Sequence, residues 1–458
     1  MACEQVTLQD VCELIVDCPH TSTKDEGVGY PLIRTPNVGR GRLILTDVHR
    51  VSQDVYERRV SRAVPRQGDL ILAREAPAGN VAIVPPGIEV CLGQRTMLLR
   101  PDSSFVVPEY LNYYLNAPEQ RDRMLRLANG ATVSHINVAD IRNMPVQLPS
   151  RGEQSKVAEL LNVLDDKIDL NNRLNDYLEQ LVDGKFQELF GGLNFNATLS
   201  DVAEITMGQS PAGSSYNEEG AGIIFYQGRG EFGWRFPKRR LYTTEPKRLA
   251  CEGDVLMSVR APVGDLNVAF ENCCIGRGLA AIHSETPSFA LYLMRFLKPQ
   301  LEAYNGEGTV FGSINGKALK SLEVALPSHN EVMQFESFAA PIDALIRSNE
   351  NETRKLNNLR NYLLPKLMSG EIDVSKVDLT QLTNNHLAGR MHWSNVIRVR
   401  AIHAVHSQQS QIPAYESVPK VSHSPCRTAL TLGGIAPLLS WLAVSQFTAQ
   451  SFAMLVVF

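Results

Sequence analysis

Residues 148–192 read L-P-S-R-G-E-Q-S-K-V-A-E-L-L-N-V-L-D-D-K-I-D-L-N-N-R-L-N-D-Y-L-E-Q-L-V-D-G-K-F-Q-E-L-F-G-G. No proline falls between Ser150 and Gly191, and apolar residues recur at three- and four-residue steps, the period of a long amphipathic helix. The pattern occurs twice. An offset of 178 carries Leu148-Pro149-Ser150 onto Leu326-Pro327-Ser328, Glu153 onto Glu331, Asp165 onto Asp343, Leu181 onto Leu359 and Gly192 onto Gly370. A chain that carries one long helix twice must arrange its remaining residues around two such rods.

A heptad counted from Val157 puts Leu161, Leu164, Ile168, Asn171 and Leu178 on the seam of the first helix, running on through Lys185 and Leu189. The matching seam of the second holds Ile342, Ile346, Asn349, Leu356 and Leu367. Both turn polar at the centre. A polar seam residue costs stability but fixes register, and in an antiparallel pair Asn171 and Asn349 would meet. The alternative is a seam displaced by one residue, with both asparagines in solvent. A helix from Glu153 to Phe190 would be roughly 57 Å long at about 1.5 Å per residue. Pro341 and Pro365 lack amide hydrogens, so the second helix is predicted to break near Ala340.

Residues 1–147 read as short apolar runs broken by glycine and proline: Pro31–Thr35, Leu43–Leu45, Gly68–Leu72, Val81–Val84 and Met97–Leu99. These are strand candidates, and Pro108–Met124 reads as one helix. Residues 192–325 follow the same plan. Thr7-Leu8-Gln9-Asp10 matches Thr198-Leu199-Ser200-Asp201, Gly68-Asp69 matches Gly253-Asp254, and Ala76-Pro77-Ala78-Gly79 matches Ala261-Pro262-Val263-Gly264. Cys91-Leu92-Gly93-Gln94 matches Cys274-Ile275-Gly276-Arg277, and Gly130 to Asn137 matches Gly308 to Asn315. The order is a small α+β domain, a helix, a second such domain and a second helix.

The net charge of −4 over 458 residues excludes a polycation that coats nucleic acid. Residues 148–191 hold 5 basic and 9 acidic residues, whereas 192–325 hold 13 and 14. An acidic helix repels phosphate, so any DNA must be bound by the segments that precede the helices. The eight cysteines show no C-x-x-C pair and no histidines at zinc spacing, which reads as reduced cytosolic thiols with no metal site. The first ten residues lack the basic start and apolar core of a signal peptide, so a cytoplasmic location is expected.

The L-P-x-x-x-E-Q helix opening, the G-D-(I/L/V)-L strand with its R-(A/E)-P-x-G turn, the Gly208-Gln209-Ser210-Pro211 loop and their duplication resemble the DNA-specificity (S) subunit of type I restriction-modification systems. The match covers about residues 4–376. It departs at the second helix, which opens Asn330-Glu331-Val332, and at Arg74-Glu75-Ala76-Pro77. The resemblance implies target-recognition domains at 1–147 and 192–325, each reading half of a bipartite double-stranded DNA site. It implies spacer helices at 148–191 and 326–376, packed as an antiparallel coiled coil in a pseudo-twofold repeat. Two methyltransferase subunits dock on the helices of such a subunit and a restriction (motor) subunit completes the complex. S-adenosylmethionine, ATP and Mg are expected on those partners and no cofactor on this chain.

Arginine, glutamine and asparagine read base edges bidentately, whereas lysine and arginine runs serve phosphate. In the first domain the candidates on expected loops are Lys24, Arg34, Asn37, Arg40, Arg42, Arg74 and Arg95. In the second they are Gln209, Ser210, Gln227, Arg229, Lys238, Arg239, Arg240, Arg260 and Arg277. For any one residue the alternative is a solvated surface charge. Lys238-Arg239-Arg240, with Arg229, Arg235, Lys247 and Arg248, forms a basic tract interleaved with Phe225, Tyr226, Phe232, Trp234 and Phe236, aromatics that also suit core strands. Gly228–Gly233 matches G-x-G-x-x-G, but Pro237 and basic residues follow where a dinucleotide site needs a helix.

The rival readings are a DNA methyltransferase or nuclease, and a coiled-coil scaffold that reads no bases. No N-P-P-Y/F or D-P-P-Y motif, Walker loop or metal-binding carboxylate cluster supports an enzyme, and no catalytic residue is assigned. Residues 377–458 change character, with nothing charged after Arg427. This segment reads as a non-native extension, an ordered addition or a membrane anchor, and no membrane association is expected of the rest.

Overall fold

The computed structural model describes residues 4–128, 135–306 and 312–374. These residues divide into two units, 4–170 with 352–374 and 171–351, and the division passes through both long helices. The readings made for 377–458, and most of the Gly130 and Gly308 loops, lie outside the described residues.

In the first unit the strands are β1 (Glu4–Thr7), β2 (Cys12–Asp17), β3 (Tyr30–Ile33), β4 (Gly41–Arg42), β5 (Arg50–Val51), β6 (Leu70–Ala73), β7 (Val81–Ile83), β8 (Cys91–Leu92), β9 (Thr96–Pro101) and β10 (Pro145–Leu148). The helices are α1 (Gln53–Arg59), α2 (Pro108–Asn116), α3 (Pro118–Leu127), α4 (Val138–Arg142) and the start of α5 (Arg151–Phe190). A five-stranded sheet runs β2-β9-β6-β7-β4, a three-stranded one runs β5-β3-β8, and β1 pairs with β10. Leu70, Leu72, Met97 and Leu99 face Tyr110, Leu111 and Tyr114 of α2 and Val157 and Leu161 of α5 in one buried cluster.

The second unit repeats this plan with β11 (Ala197–Thr198), β12 (Glu204–Met207), β13 (Tyr216–Asn217), β14 (Ile223–Tyr226), β15 (Leu241–Thr243), β16 (Leu249–Ala250), β17 (Val255–Ser258), β18 (Leu266–Val268), β19 (Cys273–Ile275), β20 (Leu279–His283) and β21 (Glu323–Val324). Its helices are α6 (Leu199–Val202), α7 (Pro287–Phe296), α8 (Lys298–Glu302), α9 (Gly316–Lys320) and α10 (His329–Met368), the last crossing into the first unit. The sheets run β12-β20-β17-β18 and β13-β15-β14-β19-β16, and β11 pairs with β21. An aromatic cluster of Phe186, Phe190, Phe289, Tyr292 and Phe335 joins α5, α7 and α10 within this unit.

The motifs shared by the two copies are local devices of folding. Ser150 caps α5 reciprocally with Glu153, which accepts from the Ser150 amide at 3.0 Å, and Ser328 and Glu331 do the same for α10 at 2.8 Å. Asp69 accepts from the Arg66 amide across a turn at Gly68 (φ +87°), and Asp254 accepts from the Cys251 amide across Gly253 (φ +90°). Thr7 bonds Asp10 at 2.6 Å and Thr198 bonds Asp201 at 2.7 Å.

Four features differ from the sequence reading. Pro108–Met124 is two helices, because Pro118 forces Ala117 into an extended conformation (ψ 144°). Leu43–Leu45 forms no strand, and Gly41–Arg42 pairs with β7 instead. The predicted break near Ala340 is absent, and α10 is continuous through Pro341 and Pro365. Each proline removes one backbone bond, while Ala339 and Ile342 in one unit and Leu363, Leu364 and Leu367 in the other anchor the flanking turns in the cores. The first seam also drifts: Lys185 and Leu189 face outward and Phe186 and Phe190 are buried. A straight helix of 3.6 residues per turn departs from a 3.5-residue repeat by about 20° per heptad, so late positions leave the counted seam.

Among the interface candidates Leu161, Leu164, Ile168, Asn171, Leu178, Ile346, Asn349 and Leu367 are buried, and Ile342 and Leu356 are partly so. In the second unit Asn349 Nδ2 donates to Asn175 Oδ1 at 2.8 Å, and Asn171 Nδ2 donates to the Asn349 carbonyl at 3.5 Å. In the first unit Arg360 bonds Asp165 at 2.7 Å and Lys167 pairs with Glu352 at 3.1 Å. Numbers rise on one helix as they fall on the other in each unit, so the packed segments are antiparallel there. No described helix is long and apolar enough to cross a membrane.

Candidate nucleic-acid interface

In each unit two parallel strands end side by side, and polar side chains leave from their ends. β3 pairs in parallel with β8 (Ile33 opposite Leu92), and β14 with β19 (Tyr226 opposite Ile275). The Gly93 amide donates to the Ile33 carbonyl and the Gly276 amide to the Tyr226 carbonyl, both at 2.8 Å. Both glycines are needed for this approach. A Cβ on Gly93 would lie 2.8 Å from Arg34 Cγ, and one on Gly276 would lie 2.8 Å from the Gln227 carbonyl oxygen.

This crossing gathers candidates that lie far apart in sequence. In the second unit the Gln209 amide donates to Ile275, the Arg277 amide to Ser210 Oγ at 3.3 Å, and the Gly278 amide to Gln227. Arg260 adjoins through the Val259 amide, which donates to Gly278. Gln209, Gln227, Arg260 and Arg277 are exposed. Among the described residues the side chains of Gln227, Arg260 and Arg277 have no protein hydrogen-bond or ionic partner, so their full donor sets face outward.

The other basic candidates of this unit are largely paired. Arg229 pairs with Asp265, Arg239 with Glu271 at 2.5 Å, and Arg240 with Glu231 and Glu218 at 2.8 and 3.4 Å; Lys238 is exposed. Arg235 is buried, bonding Glu179 at 3.0 Å and Asp343 at 2.9 Å. Burial alone would lower its pKa, but Tyr292, Asp343 and Glu179 together raise it. Of the aromatics, Phe225, Tyr226 and Phe236 are core residues and Trp234 is exposed.

In the first unit Arg34 and Arg95 flank the crossing, and Lys24 and Arg40 are exposed. Arg95 pairs with Glu75 at 2.9 Å. Asn37 is buried as a loop brace, accepting from the Arg34 amide and donating to the Ile44 carbonyl. Arg42 ties the domain to α5 through Asp166 and Asp169, and Arg74 bonds Asp17 and the Ile136 carbonyl. The candidate set omits Gln94, an exposed residue at the crossing. Its signal is the internal match that sets Cys91-Leu92-Gly93-Gln94 against Cys274-Ile275-Gly276-Arg277.

Among the described residues one His/Cys/Asp/Glu group has metal-ligand spacing, with ligand atoms of Cys251, Asp254 and His283 within 4.8 Å. The sequence reading finds no such set because the fold brings together residues 32 positions apart. In the first copy Asp69 holds the same turn and is met by a two-pronged Arg100 bond at 2.9 and 2.8 Å. In the second, His283 Nδ1 lies 2.6 Å from Asp254 Oδ1. Burial raises the Asp254 carboxyl above its ordinary range, against the opposing bond from His283. A carboxyl raised in the folded state contributes stability that is complete at acid pH and lost as pH rises through its folded value. His283→Arg is therefore expected to add about 1 kcal/mol at neutral pH, reduced by screening at this half-exposed rim, and nothing at acid pH. Thermal melting at the two pH values checks this, and an equal shift at both would exclude the carboxyl as its cause.

Comparison with known proteins defines the class. The family model described as "Type I restriction modification DNA specificity domain" matches residues 2–180 and again 196–361. The chain belongs to this family, that of type I restriction-modification specificity subunits. It is 31% identical to the putative type I restriction enzyme MjaX specificity subunit of Methanocaldococcus jannaschii, over 80% of this chain and 93% of that one. It is 22% identical to the MjaIX specificity subunit of the same organism, over 72% and 84%. The crystal structure of a type I restriction-modification S subunit from M. genitalium shares the fold, with a TM-score of 0.54 and 15% identity over 80% of this chain and 96% of that one.

Proposed function

We propose that this chain is the DNA-recognition subunit of a type I restriction-modification complex, in which each domain reads one half of a bipartite site. The two long helices pack as an antiparallel pair, space the domains and dock two methyltransferase subunits. The chain supplies recognition and no catalytic group. Adenine methylation, with S-adenosylmethionine, belongs to the methyltransferase partners, and cleavage, with ATP and Mg, to the restriction subunit.

The observation that carries this reading is the cluster at the strand crossing of the second domain, where Gln227, Arg260 and Arg277 have no partner among the described residues although most nearby arginines are paired. Unpaired arginine and glutamine at a rigid strand end suit base edges in a major groove. The test is co-expression with the cognate methyltransferase followed by mapping of modified adenines. A two-part motif with a fixed gap is expected. Methylation without a sequence pattern would leave a scaffold, and methylation by the isolated chain would make it an enzyme.

A further inference from the structure

The internal repeat permits a residue-by-residue comparison of the two strand crossings. The registers align Ile33 with Tyr226 and Leu92 with Ile275, so Arg34 stands where Gln227 stands and Gln94 where Arg277 stands. The alignment holds on both sides, since Gly93 and Gly276 make the same bond, and Thr96 and Leu279 open β9 and β20 opposite Ala73 and Ser258. The two copies therefore carry the same two side-chain types at exchanged positions, arginine then glutamine in the first and glutamine then arginine in the second.

We propose that Arg34 with Gln94, and Gln227 with Arg277, are the base-reading pairs of the two domains, and that their exchange makes the two half-sites differ. This rests on the reading of the domains as DNA-recognition modules and names the specificity residues within it. Arginine reads guanine through O6 and N7, and glutamine reads adenine through N6 and N7. Exchanging the two between neighbouring backbone positions exchanges the order in which guanine and adenine are selected on a similarly placed scaffold.

The surroundings favour these four. Gln227 and Arg277 are exposed with no partner among the described residues. Gln94 spends one amide hydrogen on the His20 carbonyl at 2.8 Å and keeps its carbonyl oxygen and other hydrogen. Arg34 is partly buried, and its side chain has no hydrogen-bond or ionic partner among the described residues. The neighbouring Arg95 is matched by Glu75, whereas in the second copy glycine stands at its place and Arg260 at that of Glu75. Those positions change charge between the copies without repeating a base-reading pair.

The test is to purify the chain with its methyltransferase as wild type, as Arg34→Gln/Gln94→Arg and as Gln227→Arg/Arg277→Gln, and to map the methylated motif of each. The first double variant is expected to change base preference in one half-site only, the second in the other only, each with about a tenfold to hundredfold drop on the wild-type site. Thermal melting of each complex verifies folding. A bipartite wild-type motif retained unchanged by both folded double variants would overturn the pairing and leave the recognition function standing. A wild-type complex that methylates with no bipartite motif would overturn the recognition function itself.

Discussion

Replacing Arg235 with alanine is expected to destabilise the second unit by about 3 kcal/mol, because it leaves the partly buried Asp343 carboxylate without its cation and takes one of two cations from Glu179. Arg235 is 4% exposed, donates to Asp343 at 2.9 Å and Glu179 at 3.0 Å, and donates to the Tyr292 hydroxyl oxygen at 3.3 Å. Glu179 and Asp343 belong to the two long helices, so this guanidinium fastens the second domain to both within its unit. Urea unfolding measures the loss, and adding Asp343→Asn to Arg235→Ala should recover part of it by removing the stranded charge, whereas Glu179 keeps its pair with Arg295 at 2.9 Å. If Arg235 acted instead as a DNA contact in the basic tract, the variant would bind DNA more weakly at unchanged stability.

Inserting seven residues into α5 between Leu170 and Asn171, and seven into α10 between Asn351 and Glu352, is expected to widen the gap between the half-sites by about three base pairs. Seven helical residues add about 10 Å, and base pairs rise about 3.4 Å each. A heptad nearly preserves the phase of the packed faces, so the antiparallel contacts of each unit persist. The sequences of the two half-sites should not change. Methylation mapping of the lengthened complex reads both quantities, and an unaltered gap would exclude the helices as the spacer.

Much of the scaffold was legible beforehand because its signals act over a few residues. Ser150 with Glu153, Gly68 with Asp69, and Thr198 with Asp201 are caps and turns made by neighbours in sequence. Copying them 178 or more residues later announced a second domain and a second helix. The same local logic failed at Pro341, where tertiary packing outweighs one missing backbone bond, and at Lys185, where the true helical period overruns a heptad count. Composition also overstated the basic tract, since Glu271 and Glu218 come from other loops, and Glu231 from the same one, to meet Arg239 and Arg240.

By itself, the sequence determined that this protein is a duplicated mixed domain with two long, acidic helices, since helical periodicity and the repetition of short motifs are written in the order of the residues. Which arginines face outward was decided only by tertiary structure. Arg235 and Arg277 look alike in sequence, yet one meets Asp343 across 108 positions and the other sits at the end of a parallel strand pair where no described acid binds it. The physical reason is that a charge is neutralised by whatever the fold brings within a few ångströms, and such partners are set by long-range strand pairing and helix packing.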